Sequence, residues 1–226
     1  MASSIYVSCI ILAVTFAMTS AFDCPQTCDC TPKQSNGAVT DLAVDCAERD
    51  VNESVLAREL DLVLSDVELR ENLTTLNISN TPLTQVPVSV CQLTNLIFLY
   101  LDRNRLKRLP DNCFTDMAVL LWLSARYNNI TELQDGLFDG LNSLWNLDLS
   151  WNQITSIGIH VFSNPNDLVR LSSIYLDHNL LSSLEPWPYI RGLHGTPFLR
   201  LTFPLSQTLS TSSQTTSDGK PIAATN

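Results

Sequence analysis

The chain has 226 residues, 13 basic and 23 acidic, for a formal net charge of −10, and 45% of it is hydrophobic, enough for a sizeable core in one or two domains. The acidity argues against nucleic acid, whose phosphates need Lys and Arg in excess, and against an electrostatic membrane anchor, which needs a basic cluster. The 7 cysteines are an odd number and have to be read by position.

Residues Ile5 to Met18 are almost wholly apolar and uncharged. The run falls short of the roughly 20 residues that span a bilayer and fits a signal-peptide core. Thr19-Ser20-Ala21 supplies the small residues a signal peptidase needs, so cleavage is expected after Ala21, removing residues 1–21. No Lys or Arg precedes the run, a departure from the usual pattern, and the rival reading is an uncleaved anchor. Secretion places the remaining cysteines in an oxidising compartment. No later segment is long and apolar enough to span, and the polar ending PIAATN is no GPI signal. The expectation is a soluble extracellular protein with no transmembrane segment.

Residues 22–47 hold Cys24, Cys28, Cys30 and Cys46, spaced C-P-x-x-C-x-C, fifteen residues, then C. Four cysteines allow three connectivities, and the sequence does not choose among them. Zinc is the rival to disulfides in so tight a cluster, and secretion favours disulfides. Residues 48–72 are acidic: Glu48, Asp50, Glu53, Glu59, Asp61, Asp66, Glu68 and Glu71 stand against Arg49, Arg58 and Arg70, carrying −5. The stretch from Glu53 to Leu64 is compatible with a helix. A docking patch for a basic partner, a weak calcium site and a solvated face are all open here; the lack of calcium-loop spacing favours the solvated face.

From Leu73 the chain repeats itself. LTTLNISNTPL, LIFLYLDRNRL, LLWLSARYNNI, LWNLDLSWNQI and LSSIYLDHNLL begin at Leu73, Leu96, Leu120, Leu144 and Leu171, and follow L-x-x-L-x-L-x-x-N-x-L. Val86, Leu109, Leu133, Ile157 and Leu184 share one later position, and Phe114, Phe138 and Phe162 another. Alternation such as Leu99 and Leu101 turns one face of a short strand inward, and no single coil has enough apolar surface to fold alone. The longest interval carries its extra residues at Ser163 to Asp167, read as a loop bulge.

This pattern resembles the leucine-rich repeat. The resemblance implies an α/β right-handed horseshoe solenoid with a parallel sheet on its concave side and the phenylalanines packed beneath its convex side. It also implies that Asn104, Asn128, Asn152 and Asn179 form an asparagine ladder bonding backbone groups of the turn after each strand. Thr81 takes that position in the first repeat, where the ladder should weaken. The cysteine cluster resembles the N-terminal cap of extracellular members, which implies Cys24–Cys30 and Cys28–Cys46 pairing. Toll-like receptor ectodomains, Slit guidance proteins, the variable lymphocyte receptors of jawless vertebrates and small leucine-rich proteoglycans share this architecture and differ in ligand.

Cys91 falls in the phenylalanine column and Cys113 lies one residue before Phe114, so the two are near neighbours on successive coils. A bridge and two unpaired thiols are both open. Asn-x-Ser/Thr sequons stand at Asn52, Asn72, Asn77 and Asn129. Asn77 takes an outward strand position, so a glycan there would cover the first repeat and push a ligand towards later ones.

The outward strand positions read Thr75, Phe98, Trp122, Asn146, Ser173; then Asn77, Tyr100, Ser124, Asp148, Tyr175; then Ser79, Asp102, Arg126, Ser150, Asp177. Phe98, Tyr100 and Trp122 form an aromatic patch of the kind enriched at protein interfaces. Asp102 is placed to pair with Arg126, while Asp148, Tyr175 and Asp177 extend the surface. Trp151 and His178 lie along the loop edge. The alternative is that these rings merely pack on one another. His160, His178 and His194 fall at unrelated positions, and neither a nucleophile motif, a phosphate loop nor a metal cluster outside the cap accompanies them. No cofactor and no enzymatic activity are expected.

Residues 73–195 are read as repeats with a degenerate end, and 196–226 as a disordered Ser/Thr-rich tail, since nine of the twelve residues from 206 to 217 are Ser or Thr. No cysteine follows Cys113, so the second cysteine cap usual in these families is missing. Trp187 to Phe203 folding over the last coil, a partner covering it, or a truncated receptor-like form would each account for this; the change near Thr196-Pro197 favours the third. The reading is a secreted recognition protein binding a protein ligand or receptor, in innate immunity or cell-surface signalling. The alternative is a structural or adhesive matrix component.

Overall fold

A computed structural model describes residues 24, 27–35, 38–48, 53–65, 67–162, 168–182, 198–201 and 223–224. The signal-peptide segment, Asn52 and the Ser163–Asp167 bulge lie outside the described residues. The chain opens with an antiparallel hairpin of β1 (Asp29–Ser35) and β2 (Ala38–Asp45), in which Cys30 faces Val44 across the ladder. Two helices follow, α1 (Glu53–Ser65) and α2 (Val67–Asn72). The repeats then supply β3 (Leu73–Asn77), β4 (Phe98–Tyr100), β5 (Trp122–Ser124), β6 (Glu132–Leu133), β7 (Asn146–Asp148), β8 (Ser156–Ile157) and β9 (Ser173–Leu176). β2, β3, β4, β5, β7 and β9 lie side by side in that order, all parallel, while β6 and β8 pair in a small second sheet.

The leucine pattern explains the sheet. Leu76, Leu99, Leu123, Leu147 and Ile174 fall in one line across β3, β4, β5, β7 and β9, and all are buried. Burying each stabilises by about 1.5–3 kcal/mol, but only because the coil on either side supplies the other wall. Phe114, Phe138 and Phe162 stack through the opposite wall with ring centroids 6.3 and 5.8 Å apart.

The turn after each strand is tied by the ladder. The Asn128 amide donates to the carbonyls of Leu101 (2.9 Å) and Ala125 (3.0 Å), and its Oδ1 accepts from the Leu106 N–H (3.1 Å). Asn152 and Asn179 repeat these bonds one coil further on each. Asn104 donates to Ile78 and Leu101, and its Oδ1 accepts from the backbone N–H of Thr81. Thr81 is buried, with its hydroxyl 3.0 Å from the Ile78 carbonyl and 2.8 Å from Asn104 Oδ1. One hydroxyl proton serves one of these acceptors, whereas an amide serves two.

The cap closes the first coil. Disulfides join Cys24 to Cys30 and Cys28 to Cys46, so the four thiols form no zinc site, and Cys28, Leu42, Val44 and Cys46 enter the core. A third disulfide joins Cys91 to Cys113. The helix over Glu53–Ser65 buries Leu56 and Leu60. Two acids of this segment are more than a solvated face. Glu59 accepts from the N–H (3.0 Å) and hydroxyl (2.6 Å) of Thr27, and Glu53 accepts from the N–H and hydroxyl of Thr84, both at 2.9 Å. They tie α1 to the cap on one side and to the first repeat on the other.

Most of residues 196–226, whose composition suggests a disordered tail, lies outside the described residues; within that span β10 (Phe198–Leu201) pairs parallel to β9, and β11 (Ala223–Ala224) pairs parallel to β10. The reason is register. Phe-Leu-Arg-Leu places Leu199 opposite Ile174 and Leu201 opposite Leu176, the alternation of a further repeat without its flanking leucine or asparagine.

Candidate functional site

The outward positions of the sheet form three rows. Thr75, Phe98, Trp122, Asn146 and Ser173 are aligned across the strands, as are Asn77, Tyr100, Ser124, Asp148 and Tyr175. Trp122 is 37% exposed, Phe98, Tyr100, Asp148 and Tyr175 are half-buried, and Asn146 is buried. Phe98 and Trp122 are therefore lateral neighbours on this face, with Tyr100 beside Ser124 rather than beside a second ring.

Asp102 and Arg126 form no ion pair. Asp102 Oδ1 instead accepts from the Ser124 hydroxyl (2.5 Å) and from the Arg126 backbone N–H (3.0 Å), while the guanidinium lies over the Tyr127 ring, 4.9 Å from its centroid. The fixed backbone donor reaches the carboxylate without ordering a long side chain, and the guanidinium finds a π face instead. Burial pushes the Asp102 carboxyl above its ordinary value and the Asp148 charge adds to this, against the two hydrogen bonds. Burial, with Asp102 nearby, raises the Tyr100 phenol too. Asp148 Oδ1 accepts from the N–H (3.0 Å) and hydroxyl (2.6 Å) of Ser150, and Asp177 lies 2.9 Å from His178 Nδ1.

Two bands flank these rows. On the trailing edge Arg103, Tyr127, Trp151 and His178 precede the ladder asparagines and have positive φ, between 53° and 57°. Left-handed backbone costs a non-glycine residue about 1–2 kcal/mol, and here it holds the four side chains in one column. Arg103 sits 4.6 Å from the Tyr127 centroid, Tyr127 stacks on Trp151 at 5.1 Å, and Trp151 on His178 at 3.8 Å. The sequence reading placed Trp151 and His178 at this edge but missed the column; its signal is a planar group before the asparagine in four successive repeats.

On the leading edge, sequence reasoning missed Ile97, Leu121 and Trp145 altogether. They are joined by backbone bonds from Leu121 N–H to the Ile97 carbonyl and from Trp145 N–H to the Leu121 carbonyl, both 2.9 Å. Leu121 is 37% and Trp145 58% exposed. Their signal was an apolar residue directly after the first leucine in three successive repeats.

Of the sequons, Asn77 lies on β3 between Asp45 and Tyr100, and its Oδ1 accepts from the Ser79 N–H; Asn72 ends α2, and Asn129 is exposed. Among the described residues no group of three or more His, Cys, Asp and Glu is placed to hold a metal ion, and no helix is long and apolar enough to cross a membrane.

A parallel-stranded solenoid with an asparagine ladder and a disulfide cap defines the class. The leucine rich repeat family matches residues 71–130, 94–154 and 125–181, and the chain is a leucine-rich repeat protein. A solved structure described as a TLR13–ssRNA13 complex is similar at 26% identity and a TM-score of 0.54, over 77% of this chain. This chain spans 22% of that one's length. No curated protein matches the sequence.

Proposed function

We propose that the protein is secreted and recognises another protein through its concave face, without catalytic chemistry. One observation carries this reading: Phe98, Tyr100 and Trp122 project from a sheet whose core is already complete without them, beside Asp102, Asp148, Tyr175 and Asp177. Large rings on an otherwise polar surface exceed what folding requires. The three disulfides suit an oxidising compartment, which supports the signal-peptide reading of residues 1–21. A glycan on Asn77 would cover the first repeat and one on Asn72 would precede it, and neither would stand on the later repeats. The likeness to a TLR13 chain supports a role in innate immunity or cell-surface signalling over a matrix role.

That structure's description also names a single-stranded RNA. The same ligand suits this chain poorly, because Asp102, Asp148 and Asp177 repel phosphates and the rings of the trailing column already spend their faces on one another. The test is expression in eukaryotic cells. The secreted protein should begin at Phe22, lose mass with glycosidase, and capture a partner from extracellular fluid rather than from matrix extract. Trp122→Ala should weaken that capture by more than ~1 kcal/mol. A mutant of unaltered affinity refutes the concave placement, and retention in the cell refutes secretion.

A further inference from the structure

The leading edge of β4, β5 and β7 carries a more specific assignment, which rests on the protein-recognition reading above. We propose that it is the anchor site for an extended peptide segment of the partner, carrying a large apolar side chain close to a Lys or Arg.

The apolar half of the site is the ladder of Ile97, Leu121 and Trp145, with Trp122 next to Leu121 in the chain. Folding does not need these side chains at the surface, since Leu96, Leu120 and Leu144, one residue earlier in each repeat, are the fully buried core positions. Three successive coils thus offer contiguous apolar side chains to solvent, with Trp145 the most exposed at 58%. Contiguous apolar surface of this kind marks interaction sites, and tryptophan is the residue most enriched among interface anchors.

The polar half is independent of it. Asn146 lies on β7 between Trp122 on β5 and Ser173 on β9, is 3% exposed, and its Nδ2 has no hydrogen-bond partner. A buried amide donor without an acceptor is rare, because leaving it unmet costs more than a formed bond returns. An incoming backbone carbonyl supplies the acceptor. Trp122, paired with Asn146 across β5 and β7, is 37% exposed, so the nearest large side chain across the ladder on that face is itself open to a ligand.

Charge selects what accompanies the apolar group. Asp148 lies two residues beyond Asn146, and Asp177 follows on the next coil, while Arg126 is engaged over Tyr127. A cation a few residues from the apolar anchor meets these carboxylates. A second copy of the chain is a poor occupant, since each carries −10 and the two repel.

The probe is a displayed library of random linear peptides selected on the secreted protein. Enriched sequences should pair Leu, Ile, Phe or Trp with a nearby Lys or Arg. Synthetic versions should bind Trp145→Ala and Leu121→Ser about tenfold more weakly, the loss expected of an interface anchor. Binding should fall with added salt and in Asp148→Asn, while Trp151→Ala, in the trailing column, changes nothing. Unchanged circular dichroism and secretion yield guard against misfolding of the variants. Full affinity in both leading-edge variants, selection of acidic or wholly polar peptides, or no enrichment overturns the proposal. Affinity lost in Trp151→Ala instead leaves protein recognition standing and overturns only the leading-edge placement. A dimer in sedimentation that Trp145→Ala disperses also overturns it, by making the occupant a second copy.

Discussion

Asn128→Ala tests how much of the solenoid's stability lies in the ladder. The substitution removes an acceptor for the Leu106 N–H and donors to the carbonyls of Leu101 and Ala125. These losses are unequal. Leu101 still accepts from Asn104 at 3.0 Å, and Ala125 from Asn152 at 2.9 Å, so each carbonyl keeps one partner. The Leu106 N–H is left buried with none, at about 1–3 kcal/mol, and the two weakened carbonyls add about 0.5 kcal/mol each. The expected loss is about 3 kcal/mol, which lowers Tm by about 6–12 °C in a chain of this size. Urea unfolding followed by circular dichroism measures the total. Hydrogen exchange should show the loss of protection concentrated around Leu106, because stacked coils couple mainly to their neighbours. A loss below about 1 kcal/mol would mean that water satisfies Leu106 and that the reasoning is wrong.

Gly140 has φ +86°, and a Cβ there would stand 2.0 Å from the Thr115 carbonyl oxygen, so Gly140→Ala should cost about 3 kcal/mol or more; a thermal melt within roughly 2 °C of the parent, the scatter of a neutral surface change, contradicts this. Replacing Cys91 and Cys113 together by Ser opens a loop with a sequence separation of 22, worth about 3 kcal/mol of chain entropy, and an unchanged urea midpoint argues against it. Burial raises the Asp102 carboxyl in the folded state, so its contribution to stability is full below the unfolded value of about 3.9 and is lost as pH rises through the folded one. Asp102→Asn keeps an oxygen for Ser124 and Arg126 but carries no charge. It should melt above the parent near neutral pH with an advantage that shrinks on acidification, and an advantage equal at both pH values refutes the assignment.

The Asp102 result shows why part of the surface was beyond sequence reasoning. Repeat register puts Asp102 and Arg126 just beyond neighbouring strands, but the choice between a guanidinium and a backbone N–H as partner depends on distances that spacing does not contain. Glu53 and Glu59 looked like members of a solvated acidic stretch, because their partners Thr84 and Thr27 lie 31 and 32 residues away along the chain. The leading-edge ladder was visible as Ile97, Leu121 and Trp145 at one repeat position. The repeat pattern alone does not mark it as a surface, because that position has no set direction until the strands are laid beside one another.

What the amino-acid order decided alone is everything periodic. The intervals between Leu73, Leu96, Leu120, Leu144 and Leu171 fix the coil, its alternation fixes which residues go inward, and one asparagine in each coil after the first fixes the turn. Periodic features are legible because every coil solves the same burial problem with the same residues. The tertiary structure alone decided what happens between coils and at the ends: the Cys91–Cys113 bridge, the stack of Arg103, Tyr127, Trp151 and His178, the unpartnered amide of Asn146, and the strand Phe198–Leu201 that carries the sheet past the last clear repeat. Each of these depends on how one coil is set against the next, and that offset is fixed by packing in three dimensions rather than by any single repeat.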